Sequence, residues 1–328
     1  MSNLEPHPQE ALCGGTTDVA AAGVRELLVG RDVVLGGTRG MPVTRTLPNK
    51  HRRMVGAWCF VDHFEQRLRR SNGELSRGEV AMQVPPHPHT QLQTVTWLVS
   101  GDVRHRDSLG NDQVIRPGQL NLMTAGPGIA HAEQSLEPGG MLHGVQLWVA
   151  LPAAATGTAP DFAHHASLPM SSDGPVTTKL MIGALDGAAS PAQAYTPLLG
   201  AEVAFAGAGR TEIPLEPDFE YAVLTLDGTA DVDGQPLPTG PLLYLGTRRD
   251  RLALAASAPA RLLLLGGEPF AEEIIMWWNF IGRSHEEIVA SRDDWMAGRR
   301  FGAVSFEGDP LPAPEMPTTV LKPKGRLR

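Results

Sequence analysis

The 328-residue chain has only two cysteines, Cys13 and Cys59. One falls in a loose amino-terminal stretch and the other in an apolar one. Nothing suggests a disulfide framework, and a reducing cytoplasm is the expected setting. No basic n-region followed by an apolar run is visible near the start, so no secretory signal is expected. No apolar segment approaches the ~18 residues that a membrane span needs. Positive charge is also short. Lys and Arg number 28 against 36 Asp and Glu, for a net charge of −8. Without a basic stripe the chain offers phosphates no footprint, which argues against direct nucleic-acid binding. The basic cluster from Lys322 to Arg328 is a tail. Histidine is missing from one long region, with none between His165 and His285.

Glycine and proline, by contrast, are abundant. The 36 Gly and 28 Pro make up about a fifth of the chain, against an average of roughly 12%, and this fits many turns rather than long helices. The length suffices for two domains. Residues 1–22 are small, polar and aperiodic, and are expected to be flexible. Strands are expected from Val33–Leu35. Gly36–Gly40 lacks the Lys-Ser/Thr ending of a phosphate loop and reads as a turn. Met54–Phe64 reads as a buried strand and its exit, and Arg67–Arg70 with Arg77 as a solvated loop.

The densest chemistry lies between Val84 and Gln134. His87 and His89 stand two apart, as do His131 and Glu133. On a strand such pairs share a face, so two facing strands can aim four ligands into one cavity. Three imidazoles and a carboxylate suit Fe(II), Mn(II), Ni(II), Cu(II) or Zn(II). Between the pairs, Gln93–Val99 reads as a strand, Ser100–Asp102 as a turn, Val103–Arg106 as a strand and Ser108–Asp112 as a turn. That rhythm indicates an all-β barrel or sandwich.

The motifs come in a telling order. His-Pro-His (87–89) precedes Thr-Val-Thr-Trp-Leu (94–98), His-Arg-Asp-Ser-Leu-Gly (105–110), Arg-Pro-Gly-Gln (116–119) and Met-Thr-Ala-Gly-Pro-Gly-Ile-Ala-His-Ala-Glu (123–133). Together with Val55–Phe64 before the site and Val145–Pro152 after it, this series resembles the pirin family of the cupin superfamily, from about Arg45 to about Gly302. The resemblance implies an all-β fold: two cupin (jelly-roll) barrels in tandem with a short C-terminal helix. Residues 23–152 would form a metal-binding barrel, 153–174 a linker, 175–302 a second barrel with a helix over 284–297, and 303–328 a tail. His87, His89, His131 and Glu133 would hold a metal, Fe(II) first, with Mn, Ni, Cu or Zn as alternatives. The family activity is that of a quercetin 2,3-dioxygenase, acting on a flavonol and O2, with Glu133 as the catalytic carboxylate. The rival implication is a non-enzymatic, redox-dependent regulator that acts through a protein partner; a third is a metal that only stabilises the fold. One departure stands out. Many pirins have Arg-Gly-Phe-Glu after His-x-His, where this chain has Thr90-Gln-Leu-Gln93, so a neutral amide is expected to alter the surroundings of the metal.

The second half repeats the strand rhythm, and Leu224–Gly228 echoes Trp97–Gly101. In that register Pro214 and Glu216 occupy the places of His87 and His89, so the second barrel reads as degenerate. His164 and His165 read as exposed linker residues. His105 reads as reaching the pocket rim or bonding Asp107 or the backbone. His143 reads as structural or adjacent to the site, His63 as structural, and Trp97 and Trp148 as core. Ser284 and Glu287 form a capping box ahead of an apolar face of Ile288, Trp295 and Met296; Gly298 ends the helix, and His285 reads as a surface residue. With no disulfide expected, dithiothreitol should leave the melting temperature unchanged. A fall on reduction would show that Cys13 and Cys59 are paired.

Overall fold

The computed structural model of the protein describes residues 24–35, 41–66, 82–136 and 141–326. The expectations for residues 1–22, Gly36–Gly40, Arg67–Arg70 and Arg77 lie outside the described residues.

Two barrels are built alike. In the first, a seven-stranded sheet runs in the order Asp161–His165, Leu120–Thr124, Leu92–Ser100, Leu142–Ala150, Trp58–Gln66, Met41–Leu47, Arg31–Leu35. Four strands face it: Gln83–His89, Ile129–Ser135, Val103–Asp107 and Asp112–Ile115. The second barrel pairs another seven-stranded sheet, from Glu26–Leu28 through Leu242–Gly246, Glu220–Asp227, Ala260–Gly267, Leu198–Phe205 and Val176–Ile182 to Met170–Asp173, with a second set of four strands. The expected all-β tandem architecture is therefore present. Among the described residues one α-helix occurs, His285–Met296.

Strand alternation decides what each face meets. On Leu92–Ser100, Thr94 and Thr96 turn into the first barrel, while Val95 and Trp97 turn to the core shared with the second. There Trp97 Nε1 donates to Glu202 Oε2 at 2.8 Å and Trp58 Nε1 to Leu199 O at 3.0 Å. Leu147, Val149, Leu224, Leu242, Leu263 and Leu265 fill the space between the two large sheets. Each such side chain contributes about 1.5–3 kcal/mol on burial, so the two halves hold together as one body.

Several elements sit where the sequence alone does not put them. Glu26–Leu28 lies in the stretch assigned to the first barrel, yet it pairs with Leu242–Tyr244 of the second. A three-residue strand carries little pattern of its own, and burial of Leu28 selects its partner. The stretch read as a linker contributes a strand to each large sheet: Asp161–His165 against Leu120–Thr124, and Met170–Asp173 against Val176–Lys179. Edge pairing needs only backbone groups, so an Ala- and Pro-rich composition does not reveal it. His164 is consequently half-buried, with Nδ1 2.7 Å from Asn121 Oδ1.

The helix cap forms in part. Ser284 Oγ accepts from Glu287 N at 3.2 Å, but the Glu287 carboxylate accepts from Arg283 N rather than closing the box on Ser284. His285, read as a surface residue, accepts from Leu321 N at 3.2 Å and fastens the tail. That tail lies across the first barrel, where Leu311 N donates to Pro86 O at 2.9 Å. Glu220 ties the Gly56 turn and the carboxy-terminal tail to the second barrel. Its buried carboxylate accepts from Gly56 N (2.7 Å), Tyr244 Oη (2.8 Å) and Arg326 Nη1 (2.7 Å). Glu220→Ala leaves the buried Arg52 guanidinium (3.9 Å from the carboxylate), the half-buried Arg326 and a buried N–H without that partner, and should lower stability in urea titration by about 3–5 kcal/mol; a loss below about 1 kcal/mol, the range of an exposed pair, would contradict this account.

Candidate metal centre

Antiparallel pairing of Gln83–His89 with Ile129–Ser135 sets His87 directly opposite His131. Both i, i+2 pairs consequently face the same interior. The register shifts between His131 and Glu133, a bulge that re-aims the carboxylate. On its other side the Ile129–Ser135 strand pairs Glu133 with His105. The donor atoms fall into two groups, each within 4.8 Å: His87, His89 and His131; and His105, His131 and Glu133. His131 belongs to both. All five side chains are buried.

Hydrogen bonds behind the rings decide which nitrogens face inward. His87 Nδ1 lies 2.9 Å from Pro85 O, and His89 Nδ1 lies 3.0 Å from Asn279 O. A carbonyl only accepts, so each Nδ1 carries the proton and each Nε2 keeps a lone pair. Asp107 Oδ2, 3.2 Å away, accepts a hydrogen bond from the His105 Nε2–H. His105 Nδ1 is then left to accept from His131 Nδ1 at 3.3 Å, which frees His131 Nε2. That atom lies 3.1 Å from His89 Nε2. His87 Nε2 is buried and has no hydrogen-bond partner. Three lone pairs thus converge with no proton to share, an arrangement a cation satisfies. Burial lowers all three histidine pKa values, that of His89 to about 3, with the neighbouring imidazoles adding to the effect at His87 and His131. The rings are therefore neutral at pH 7, as ligation requires. Thr96 Oγ1 lies 3.3 Å from Glu133 Oε1 and 3.0 Å from Gln146 Oε1, and its one proton serves one of these acceptors at a time. Donors of this type and number fit a divalent transition ion.

A model described as Pirin matches residues 40–149, and one described as Pirin C-terminal cupin domain matches residues 200–302. A Pseudomonas aeruginosa protein named "Putative quercetin 2,3-dioxygenase" is 47% identical over 289 residues, covering 88% of this chain and 89% of its own. A Caulobacter vibrioides pirin-like protein is 34% identical over 287 residues, covering 83% and 94%. The crystal structure of quercetin 2,3-dioxygenase from Acinetobacter baumannii superposes with a TM-score of 0.83 at 36% identity, over 90% of this chain and 96% of that one. The chain belongs to the pirin family. Its barrels are the two cupins of that family.

Against the pirin pattern, Gln93 behaves unlike the expectation. It does not line the metal pocket. Alternation turns it away from Thr94 and Thr96, and Nε2 donates to Thr124 Oγ1 at 3.0 Å and to Gln193 O at 3.1 Å. The departure from the family motif thus falls at the joint between the cupins. Trp148 is core but stands at the site, its ring 5.1 Å from that of His89 and stacked on Phe60 at 4.1 Å. Its buried indole N–H has no partner. His63 and His143 leave the site altogether and bond each other through Nε2 at 2.9 Å. In the second cupin Pro214 and Glu216 are exposed, and Leu243, Leu245, Leu252, Leu262 and Leu264 fill the interior. Sequence reasoning missed Asn279, whose main-chain role leaves no signature. It named His105 and Asp107 without joining them to His131.

Burial depresses the folded-state pKa of His63, to about 4, as well as those of the three pocket histidines. Above pH 6.5 folded and unfolded states are both neutral at these sites. Below it the unfolded chain binds protons that the folded one refuses. Stability of the metal-free protein should therefore fall from pH 6.5 toward pH 4, at about 1.4 kcal/mol per pH unit for each fully shifted group. Urea titrations across that range check this; a flat profile contradicts it.

Proposed function

We propose that this pirin is a quercetin 2,3-dioxygenase-like enzyme in which His87, His89, His131 and Glu133 hold one Fe(II) ion. The convergence of three unprotonated Nε2 atoms carries the reading, and the quercetin dioxygenase names of its relatives supply the substrate class. Mn, Ni and Cu suit the same donors, whereas Zn lacks the redox chemistry that oxygen insertion requires. Bound there, iron would link an electron-rich flavonol to dioxygen.

The protein's own contribution is binding and proton handling. Glu133 takes the proton of the flavonol hydroxyl onto its carboxylate, and Thr96 Oγ1 beside it steadies that group. The Trp148 indole N–H, unpartnered and next to His89, donates to a substrate oxygen. Phe60 stacks on the far side of Trp148 and holds that indole beside His89.

A second reading is favoured by burial. His87, His89 and His131 are 0% exposed and Glu133 1%. A site so enclosed also suits a metal whose oxidation state is sensed at the surface by a protein partner, without turnover.

Oxygen uptake by anaerobically Fe(II)-loaded protein on addition of quercetin separates the two. The first reading expects uptake that disappears in His87→Ala and Glu133→Ala, together with stoichiometric iron. Either variant retaining both metal and turnover would falsify the assignment. Iron bound without uptake favours the partner-dependent reading.

A further inference from the structure

The segment that reaches the metal-site histidine His89 from behind comes from the far end of the chain. Ile275–Trp277 and Phe280–Gly282 form a hairpin joined by two residues, Trp278 and Asn279. Trp278 has φ 52°. Hairpins usually place glycine in such a position, because the left-handed region costs a bulky residue about 1–2 kcal/mol. Packing holds it there: the indole is 2% exposed, with its ring 5.3 Å from Phe280. The turn sets the carbonyl of Asn279 3.0 Å from His89 Nδ1, across 190 residues of sequence.

Neighbouring bonds fix the approach. Thr90 Oγ1 donates to Ile281 O at 2.8 Å, and Ile281 N to Thr90 O at 3.2 Å. Arg283 reaches Gln91 Oε1 at 2.5 Å and Leu151 O at 2.6 Å. Further along, Leu311 N closes on Pro86, the residue before His87. The outer face of this hairpin shares an apolar cluster with Ala130, the residue before His131. Each strand that carries a histidine of the triad is thus touched from behind by the carboxy-terminal segment.

We infer that the Trp278–Asn279 turn is a positioning element of the metal centre. The Asn279 carbonyl holds the His89 Nδ1 proton, which fixes both the tautomer that presents Nε2 and the plane of the ring. By reciprocity, metal binding tightens the docking of the carboxy-terminal segment on the first barrel. The inference rests on His89 being a metal ligand.

Two substitutions separate positioning from packing. Trp278→Gly and Trp278→Val both remove the indole. Glycine enters φ 52° freely, whereas β-branched valine does not. Positioning requires that Trp278→Gly keep metal affinity close to that of the unaltered protein, while Trp278→Val weakens it by roughly 10–100-fold and alters the Co(II) ligand-field spectrum. A packing role reverses the order, because glycine buries less apolar surface and gains more unfolded-state freedom. Affinity is read by competition with a chelator. A second measurement needs no variant: hydrogen exchange of residues 275–283 should slow about fivefold or more on metal loading, with the second-barrel strand Leu242–Gly246 unchanged. Equal affinity in the two variants, the reversed order, or hairpin exchange indifferent to metal overturns the inference while leaving the metal site standing. If the unaltered protein takes up no metal, the ligand assignment fails and the inference with it.

Discussion

Three imidazole lone pairs aimed at one point are the constraint on which the site depends. Left alone, His89 Nε2 and His131 Nε2 at 3.1 Å repel. The barrel holds them together because each opposite nitrogen is committed to an acceptor. Two of these acceptors, Pro85 O and Asn279 O, belong to the main chain, and the third is reached through the His105–Asp107 pair. Main-chain acceptors move only if the fold moves. Orientation of the donors is therefore built into the strand register rather than left to side-chain freedom, which lowers the entropy lost on binding an ion.

The two cupins show what a barrel interior does with and without that constraint. Their sheets are laid out alike, seven strands against four. In the second, leucines and valines fill the interior and satisfy one another by close packing. In the first, a band of histidine, threonine, glutamine and glutamate replaces part of that filling. Such groups are tolerated inside only when bonded or charged against a partner, and the unpartnered nitrogens of His87, Gln146 and Trp148 lie in this band. Packing thus does in the second barrel what polar chemistry does in the first.

The halves are stitched by more than their shared apolar face. The strand Glu26–Leu28 pairs into the second barrel, while the hairpin, helix and tail beyond residue 275 return to the first. Glu220 binds the Gly56 turn and Arg326 at once. An exchange of terminal segments makes each barrel incomplete without the other. This gives a second cupin whose interior is filled by apolar side chains a structural part in holding the first together.

Local signals determined much of this by themselves. Two i, i+2 pairs separated by strands and turns put His87, His89, His131 and Glu133 on the inner face of one barrel, because strand alternation has a period of two wherever the strand sits. The Ser284 cap and Gly298 marked the helix His285–Met296 within a residue at each end, because capping is a contact between near neighbours. The lack of histidine between His165 and His285 marked the second barrel as unable to rebuild the site. Pairing partners were beyond such signals. Only the fold joins His131 to His105 across 26 residues and His89 to Asn279 across 190. It also turned Gln93 to the joint between barrels and drew strands out of a stretch that reads as linker. Each of these depends on backbone groups or register, and a carbonyl oxygen is the same in every residue type, so the sequence carries no mark of which one a distant histidine will find.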